Sequence, residues 1–230
     1  MPDIVLENII VFLSAGHGGE DPGAVALSLK EKDINLQTLL ACRDELLRHG
    51  ITVVCSRTTD ENDPVAQEVK EANASGAVLA VAFHGNAGKG DGFEGYYWDD
   101  AKDEGKKLVL LAEKYVKELG QNSRGAKSGN HLYFIKKTKM TAVLFESFFL
   151  DSDKDNDIGD TVAEQRAFGV AYAKAILEYL GITYKPEVQA TAPKSKLYRV
   201  QVGAYGVKAN AEAMKKKLKA AGFDAIIKEE

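Results

Sequence analysis

The sequence has no apolar run long enough to cross a membrane, since stretches such as Ala77 to Phe83 and Ala142 to Phe145 fall far short of the roughly 20 residues a spanning helix requires. Its first residues, Met1-Pro2-Asp3-Ile4-Val5-Leu6-Glu7, lack the basic flank and apolar stretch of a secretory signal, so the chain reads as one synthesised in the cytoplasm. Cysteine is scarce. Cys42 and Cys55 stand thirteen positions apart with no Cys-x-x-Cys pairing, which argues against a disulfide scaffold or a zinc ribbon and predicts two buried free thiols. Positive charge is not in excess either, the formal net charge being −4. Lys215-Lys216-Lys217 with Lys219 make a basic run, but no base-stacking or groove-reading motif accompanies it, and nucleic acid is rejected as a partner. The 230 residues, 45% hydrophobic and 28% charged, exclude disordered and fibrous classes and suit one good-sized domain with a small unit attached.

What is present alternates between strand and helix. Asn8 to Ser14 is a short β-branched and aromatic run that stops at Ala15-Gly16-His17-Gly18-Gly19, which predicts a buried strand leading into a functional loop. From Lys32 to His49, Leu36, Leu39, Leu40, Leu46 and Leu47 recur at helical spacing ahead of Gly50. Ile51 to Ser56 predicts a strand, Asp63-Pro64 a cap and first-turn proline for a helix to about Ala74, and Ala77 to Phe83 another buried strand. Gly92 to Trp98 follows as a strand, Lys102 to Leu119 as a helix, and His131 to Ile135 and Thr141 to Phe149 as two strands. Thr161-Val162-Ala163-Glu164 is a capping box opening a helix that runs to Leu180. The rhythm predicts an α/β fold, a mostly parallel sheet covered by helices on both faces.

Thr183 to Ser195 holds two of the five prolines and reads as a linker. After it, Leu197 to Val202, Lys208 to Ala221 and Phe223 to Lys228 predict a small C-terminal βαβ unit. The expected division is therefore 1–182, 183–195 and 196–230. The last 35 residues carry +4 and the remainder −8, so the tail either meets an anionic partner or presents a solvated face.

Two histidines share one setting. His17 and His84 each follow an apolar strand and lead into glycine-rich loops, and parallel strands would end at the same sheet edge, where such folds bind ligands. One such histidine alone would be read as structural; two point to a metal. Glu31, fourteen residues after His17, is the natural third ligand, its alternative being a charge at a helix N-terminus. Two His and one Glu suit a catalytic zinc ion (Zn2+) with a position left for water. Asp33 is near enough in sequence to cap the helix or support the site. Glu146 interrupts the apolar strand Thr141 to Leu150, and a carboxylate there either pairs with Arg57 or Arg124 or serves as a general base. Asp151, Asp153, Asp155 and Asp157 alternate as in a calcium loop, but Asn156 and Val162 stand where glycine and glutamate are needed, which predicts a solvated acidic loop.

Four ordered blocks carry a resemblance: Gly16-His17-Gly18-Gly19 with Asp21-Pro22-Gly23-Ala24, Glu31-Lys32-Asp33-Ile34-Asn35-Leu36, Phe83-His84-Gly85-Asn86-Ala87, and Ala142-Val143-Leu144-Phe145-Glu146. From about Ile9 to Leu180 the chain resembles the zinc-dependent N-acetylmuramoyl-L-alanine amidases of the type 3 family, which hydrolyse the bond joining muramic acid to the stem peptide of bacterial peptidoglycan. The resemblance implies His17, Glu31 and His84 as zinc ligands, Glu146 as the catalytic carboxylate, and action on the wall after release. Asn86, Arg124 and His131 are expected to bind substrate, with a structural role at the head of a strand as the alternative for His131. Ser14 and Glu68 depart from the family pattern, which often has aspartate and arginine there. The tail from Leu197 to Tyr205 and onward resembles one repeat of the peptidoglycan-binding SPOR module, which has two; a second chain, making a homodimer, or packing on the catalytic domain is expected to complete it. A zinc peptidase cutting within the stem peptide and a non-catalytic wall-binding protein are the competing readings.

Overall fold

In the strand Ile10–Ala15 (β1) successive side chains alternate faces, Val11, Leu13 and Ala15 entering one apolar core and Phe12 another. The computed structural model describes residues 9–100, 102–187, 202–221, 223 and 227, and divides into two compact units, Met1–Lys185 and Pro186–Glu230. In the first unit the main sheet runs in the order β4 (Thr52–Cys55), β1, β5 (Leu79–Asn86), β8 (Thr141–Phe149), β6 (Phe93–Tyr97), β7 (Ser123–Ser128). β4, β1, β5 and β8 are parallel; β6 runs antiparallel to β8, and β7 parallel to β6. The central strands are covered on both sides, which is why β5 and β8 read as nearly continuous apolar runs.

The larger core lies under α1 (Glu31–Arg48), α3 (Glu104–Lys117) and α6 (Val162–Tyr179), which cover Leu79, Val81, Phe83, Val143 and Phe145. Tyr172 of α6 is fully buried there, its ring 4.7 Å from that of Phe145 and its hydroxyl 3.0 Å from Ser147 Oγ. The opposite face, with Phe12, Ala80, Ala82, Ala142 and Leu144, lies under α2 (Val65–Ala74) and α4 (Tyr133–Lys137). Both arms of the capping box form at the head of α6, Thr161 Oγ1 accepting from Glu164 N and the Glu164 carboxylate accepting from Thr161 N.

Several expectations need correction. His131 to Ile135 is not a strand: a turn leads into α4, whose Phe134 and Ile135 pack on the α2 side, and a short apolar run cannot by itself distinguish the two forms. The strand in that region is β7, an edge strand with no apolar alternation to betray it. Pro64 is the N-cap of α2 rather than its first helical residue, and no side chain caps that end. Asp33 is an exposed residue of the first turn of α1 and does not cap it, Lys30 holding that position. The acidic run is not solvated throughout, because Asp155, 1% exposed, accepts from the backbone N–H groups of Gly92 and Phe149. It belongs to the short helix α5 (Asp153–Asn156). Cys42 is buried and Cys55 half-buried, both free.

His49 caps the end of α1, its Nδ1 2.7 Å from Glu45 O, and Tyr184 stacks on its ring at 5.1 Å. In the second unit α7 (Lys208–Ala220) is present, while the strands expected at 197–202 and 223–228 fall mainly outside the described residues.

Candidate active site

Strand register lines up three ionisable groups. His84 of β5 pairs with Glu146 of β8, and Glu146 pairs in turn with Glu94 of β6. Period-two alternation puts His84 and Glu146 on the face of Ala80, Ala82, Ala142 and Leu144, where the apolar layer gives way near the strand ends. His84 thus lies within β5, not in the loop after it.

The loop after β1 and the start of α1 bring two further donors to this edge. Glu31 Oε1 is 2.9 Å from His84 Nδ1 and 3.2 Å from His17 Nε2, and the ligand atoms of the three residues all lie within 4.8 Å of one another. Glu31 opens α1, where the helix N-terminus favours a carboxylate, and accepts from the backbone N–H of Ala24 at 2.9 Å and of Gly85 at 3.2 Å. Between His17 and Glu31 the chain forms a small hairpin, β2 (Val25–Ala26) and β3 (Leu29–Lys30). Asn35 Nδ2 ties the loop to the helix through Gly16 O at 2.9 Å. Arg57 donates to the carbonyls of Ala15 at 2.9 Å and Lys32 at 2.7 Å, a structural brace rather than a partner for Glu146.

Two glycines make this approach possible. A Cβ on Gly16 would lie 2.1 Å from His84 Cε1, and one on Gly23, whose φ is +63°, would lie 2.6 Å from Glu31 Oε2. Asp21 supports the outer side of the cluster, its Oδ2 2.8 Å from His17 Nδ1.

The electrostatics are those of a cation site. Burial pushes Glu31 up, but hydrogen bonds from His17 and His84 outweigh it and hold the carboxyl well below the usual range. The Glu31 carboxylate raises His17 to about 9 against the cost of burial, with a further contribution from Asp21. His84 is also raised, its burial outweighed by Glu31 and Glu146. Two imidazoles and a carboxylate that pulls protons onto them form a donor set suited to a divalent ion, which would replace those protons.

Glu146 differs from the other acids around the cluster, Glu31, Asp21 and Glu94, each of which is hydrogen-bonded. Its Oε2 is buried and has no hydrogen-bond partner among the described residues, and burial raises the carboxyl to about 7 despite the neighbouring His84. Neither cation suggested by the sequence pairs with it, because Arg124 is on Glu94.

Glu94, 3% exposed, is the residue that sequence reasoning missed. Its Oε1 accepts from Arg124 Nε and from Lys127 Nζ, each at 2.5 Å, and its Oε2 accepts from Tyr96 OH at 2.7 Å and Asn86 Nδ2 at 3.4 Å. Two of the expected substrate-binding residues, Asn86 and Arg124, therefore meet on one buried carboxylate. His131, exposed, stands edge-on to Tyr96 with ring centroids 6.3 Å apart. Ser14 and Glu68 are both buried, and burial lifts the Glu68 carboxyl. A cavity of about 330 Å³ between Trp98, Ile135 and Thr141 opens at the other end of β8 and holds none of these groups.

Comparison with known proteins gives the same picture. The N-acetylmuramoyl-L-alanine amidase family model matches residues 11–178, and the SPOR domain model matches residues 171–229. The chain is 33% identical over 220 residues to N-acetylmuramoyl-L-alanine amidase CwlM of Bacillus licheniformis, covering 94% of this chain and 83% of that protein. It is 31% identical to the sporulation-specific N-acetylmuramoyl-L-alanine amidase of Bacillus subtilis (strain 168), with coverage of 94% and 83%. The catalytic domain of CwlV, an amidase of the same name from Bacillus (Paenibacillus) polymyxa var. colistinus, superposes with a TM-score of 0.70 at 30% identity, covering 76% of this chain and 100% of that one. With the family model spanning most of its first unit, the chain belongs to the N-acetylmuramoyl-L-alanine amidases.

Proposed function

We propose that the chain hydrolyses the amide between the lactoyl group of N-acetylmuramic acid and the L-alanine of the stem peptide, with zinc held by His17, Glu31 and His84 and with Glu146 as the proton-transfer group. The observation that carries this reading is the unpartnered, buried Oε2 of Glu146, aligned in register with His84. A lone carboxylate in that setting costs stability, and groups perturbed in this way cluster at functional sites. When bound, a divalent ion supplies Lewis acidity, polarising the scissile carbonyl and making water reactive near neutral pH.

Glu146 takes a proton from the attacking water. The carboxylic acid so formed returns that proton to the departing alanine nitrogen, and its raised pKa suits it to both directions. Asp21, accepting from His17 Nδ1, orients that ring so that Nε2 faces the centre of the cluster. The tail binds peptidoglycan and holds the hydrolase on its polymeric substrate, a second copy of the chain completing the SPOR fold. The test is product analysis: purified cell wall incubated with the protein should yield alanine as the new amino terminus and should stop yielding it when a chelator is added. A different amino terminus would assign the site to a peptidase.

A further inference from the structure

On the far side of Glu146 two cations share one buried carboxylate. One cation would neutralise the buried Glu94 carboxylate, yet Arg124 and Lys127 both close on the same oxygen at 2.5 Å. Two cations so placed repel each other, and the arrangement is eased when a second anion joins them. Both side chains keep exposed surface, 43% for Arg124 and 34% for Lys127. Arg124 donates to Glu94 only through Nε; among the described residues its two terminal amino groups meet no acceptor, and the Phe149 ring, 5.2 Å from its guanidinium carbon, holds its plane. Asp91, the other acid that Arg124 feels, is engaged by Lys154 at 3.2 Å.

We propose that Arg124 and Lys127, positioned by Glu94, form an anion-receiving subsite for a carboxylate on the peptide half of the substrate. The proposal rests on the amidase reading of the site. Charge decides the half, since the muramoyl side offers hydroxyl and acetamido groups whereas the peptide side carries carboxylates. Spacing decides the residue. Glu94 stands one strand, about 4.8 Å, from Glu146, and a peptide residue spans about 3.5 Å, so the group reaching the subsite belongs to the first residue after alanine. The arginine offers the paired donors that suit a carboxylate, and the lysine adds a point charge.

The test uses the full chain loaded with zinc and two N-acetylmuramoyl peptides that differ only in whether the residue after alanine carries a free carboxylate or its carboxamide. The wild type should favour the carboxylate by about tenfold or more in kcat/KM, expressed in KM, the scale of a charge-assisted hydrogen bond. In Arg124→Gln and Lys127→Gln, singly and together, that preference should shrink toward unity, while Arg124→Lys keeps part of it. Glu94→Gln should raise KM for the carboxylate substrate, with partial rescue by Glu94→Asp. Calorimetric titration of the two released peptides reads the subsite without turnover. Tighter binding of the carboxylate peptide with neither substrate cut would sustain the subsite and overturn the amidase reading. Equal binding of both peptides, or a double variant with the wild-type preference, would overturn the subsite.

Discussion

Glu146 stands opposite His84 across the β5–β8 ladder, yet its buried Oε2 accepts no hydrogen bond among the described residues. Glu94, opposite Glu146 on the other side, has four donors. Two glutamates in register thus take opposite states: the buried Glu94 is locked as a carboxylate, and the half-buried Glu146 is poised to gain and lose a proton.

Replacing Glu146 with Gln should lower turnover by at least about 100-fold, the usual contribution of a positioned acid-base group. Metal content by mass spectrometry should be unchanged, because Glu146 is outside the donor cluster. Thermal stability above pH 7 should hold or rise, since a neutral amide replaces a buried carboxylate without a partner.

The acid limb of kcat/KM should follow Glu146. Turnover needs the carboxylate, so activity rises with pH through an apparent pKa at or below about 7, the metal's charge pulling the value down from there. A pH–rate profile of the zinc-loaded protein checks this, and a limb well above 7 would argue against Glu146 as the base.

Without metal, His17 should make stability fall toward alkaline pH. Its pKa in the fold is about 9 against an ordinary 6.5, so the folded state binds the proton more tightly. The stabilisation is fully present below about 6.5 and is lost as pH rises through about 9. Melting curves in chelator should show this decline, and zinc should abolish it by taking the place of the proton.

Asp21→Asn should weaken zinc binding by about 10- to 100-fold, the range for losing a carboxylate that orients a ligating imidazole. Asp21 is largely exposed and holds His17 from outside the cluster, so the fold should survive. Competition against a fluorescent chelator measures it; unchanged affinity would remove Asp21 from the site.

Periodicity and punctuation made most of the first unit legible, because those signals are local. Leu79 to Phe83 is apolar on both faces because it lies in mid-sheet, and the capping box at Thr161 and Glu164 closes within four residues. His17, His84 and Glu146 stood out because each breaks an apolar or glycine-rich context, and Glu31 because it follows His17 by fourteen residues at the start of a helix; the structure brings His17, Glu31 and His84 within one cluster. β7 and α4 were not legible, the one lacking alternation and the other too short to show a helical period.

The chain's own order of residues determined which donors exist and on which strands they ride. It did not determine which glutamate is left alone. Glu94 and Glu146 face each other across one ladder, and only the packing of β7 beside β6 delivers Arg124 and Lys127 to the first and not to the second. Charge pairing acts through space between groups 30 or more positions apart, so the tertiary structure alone could make Glu146 the uncompensated acid.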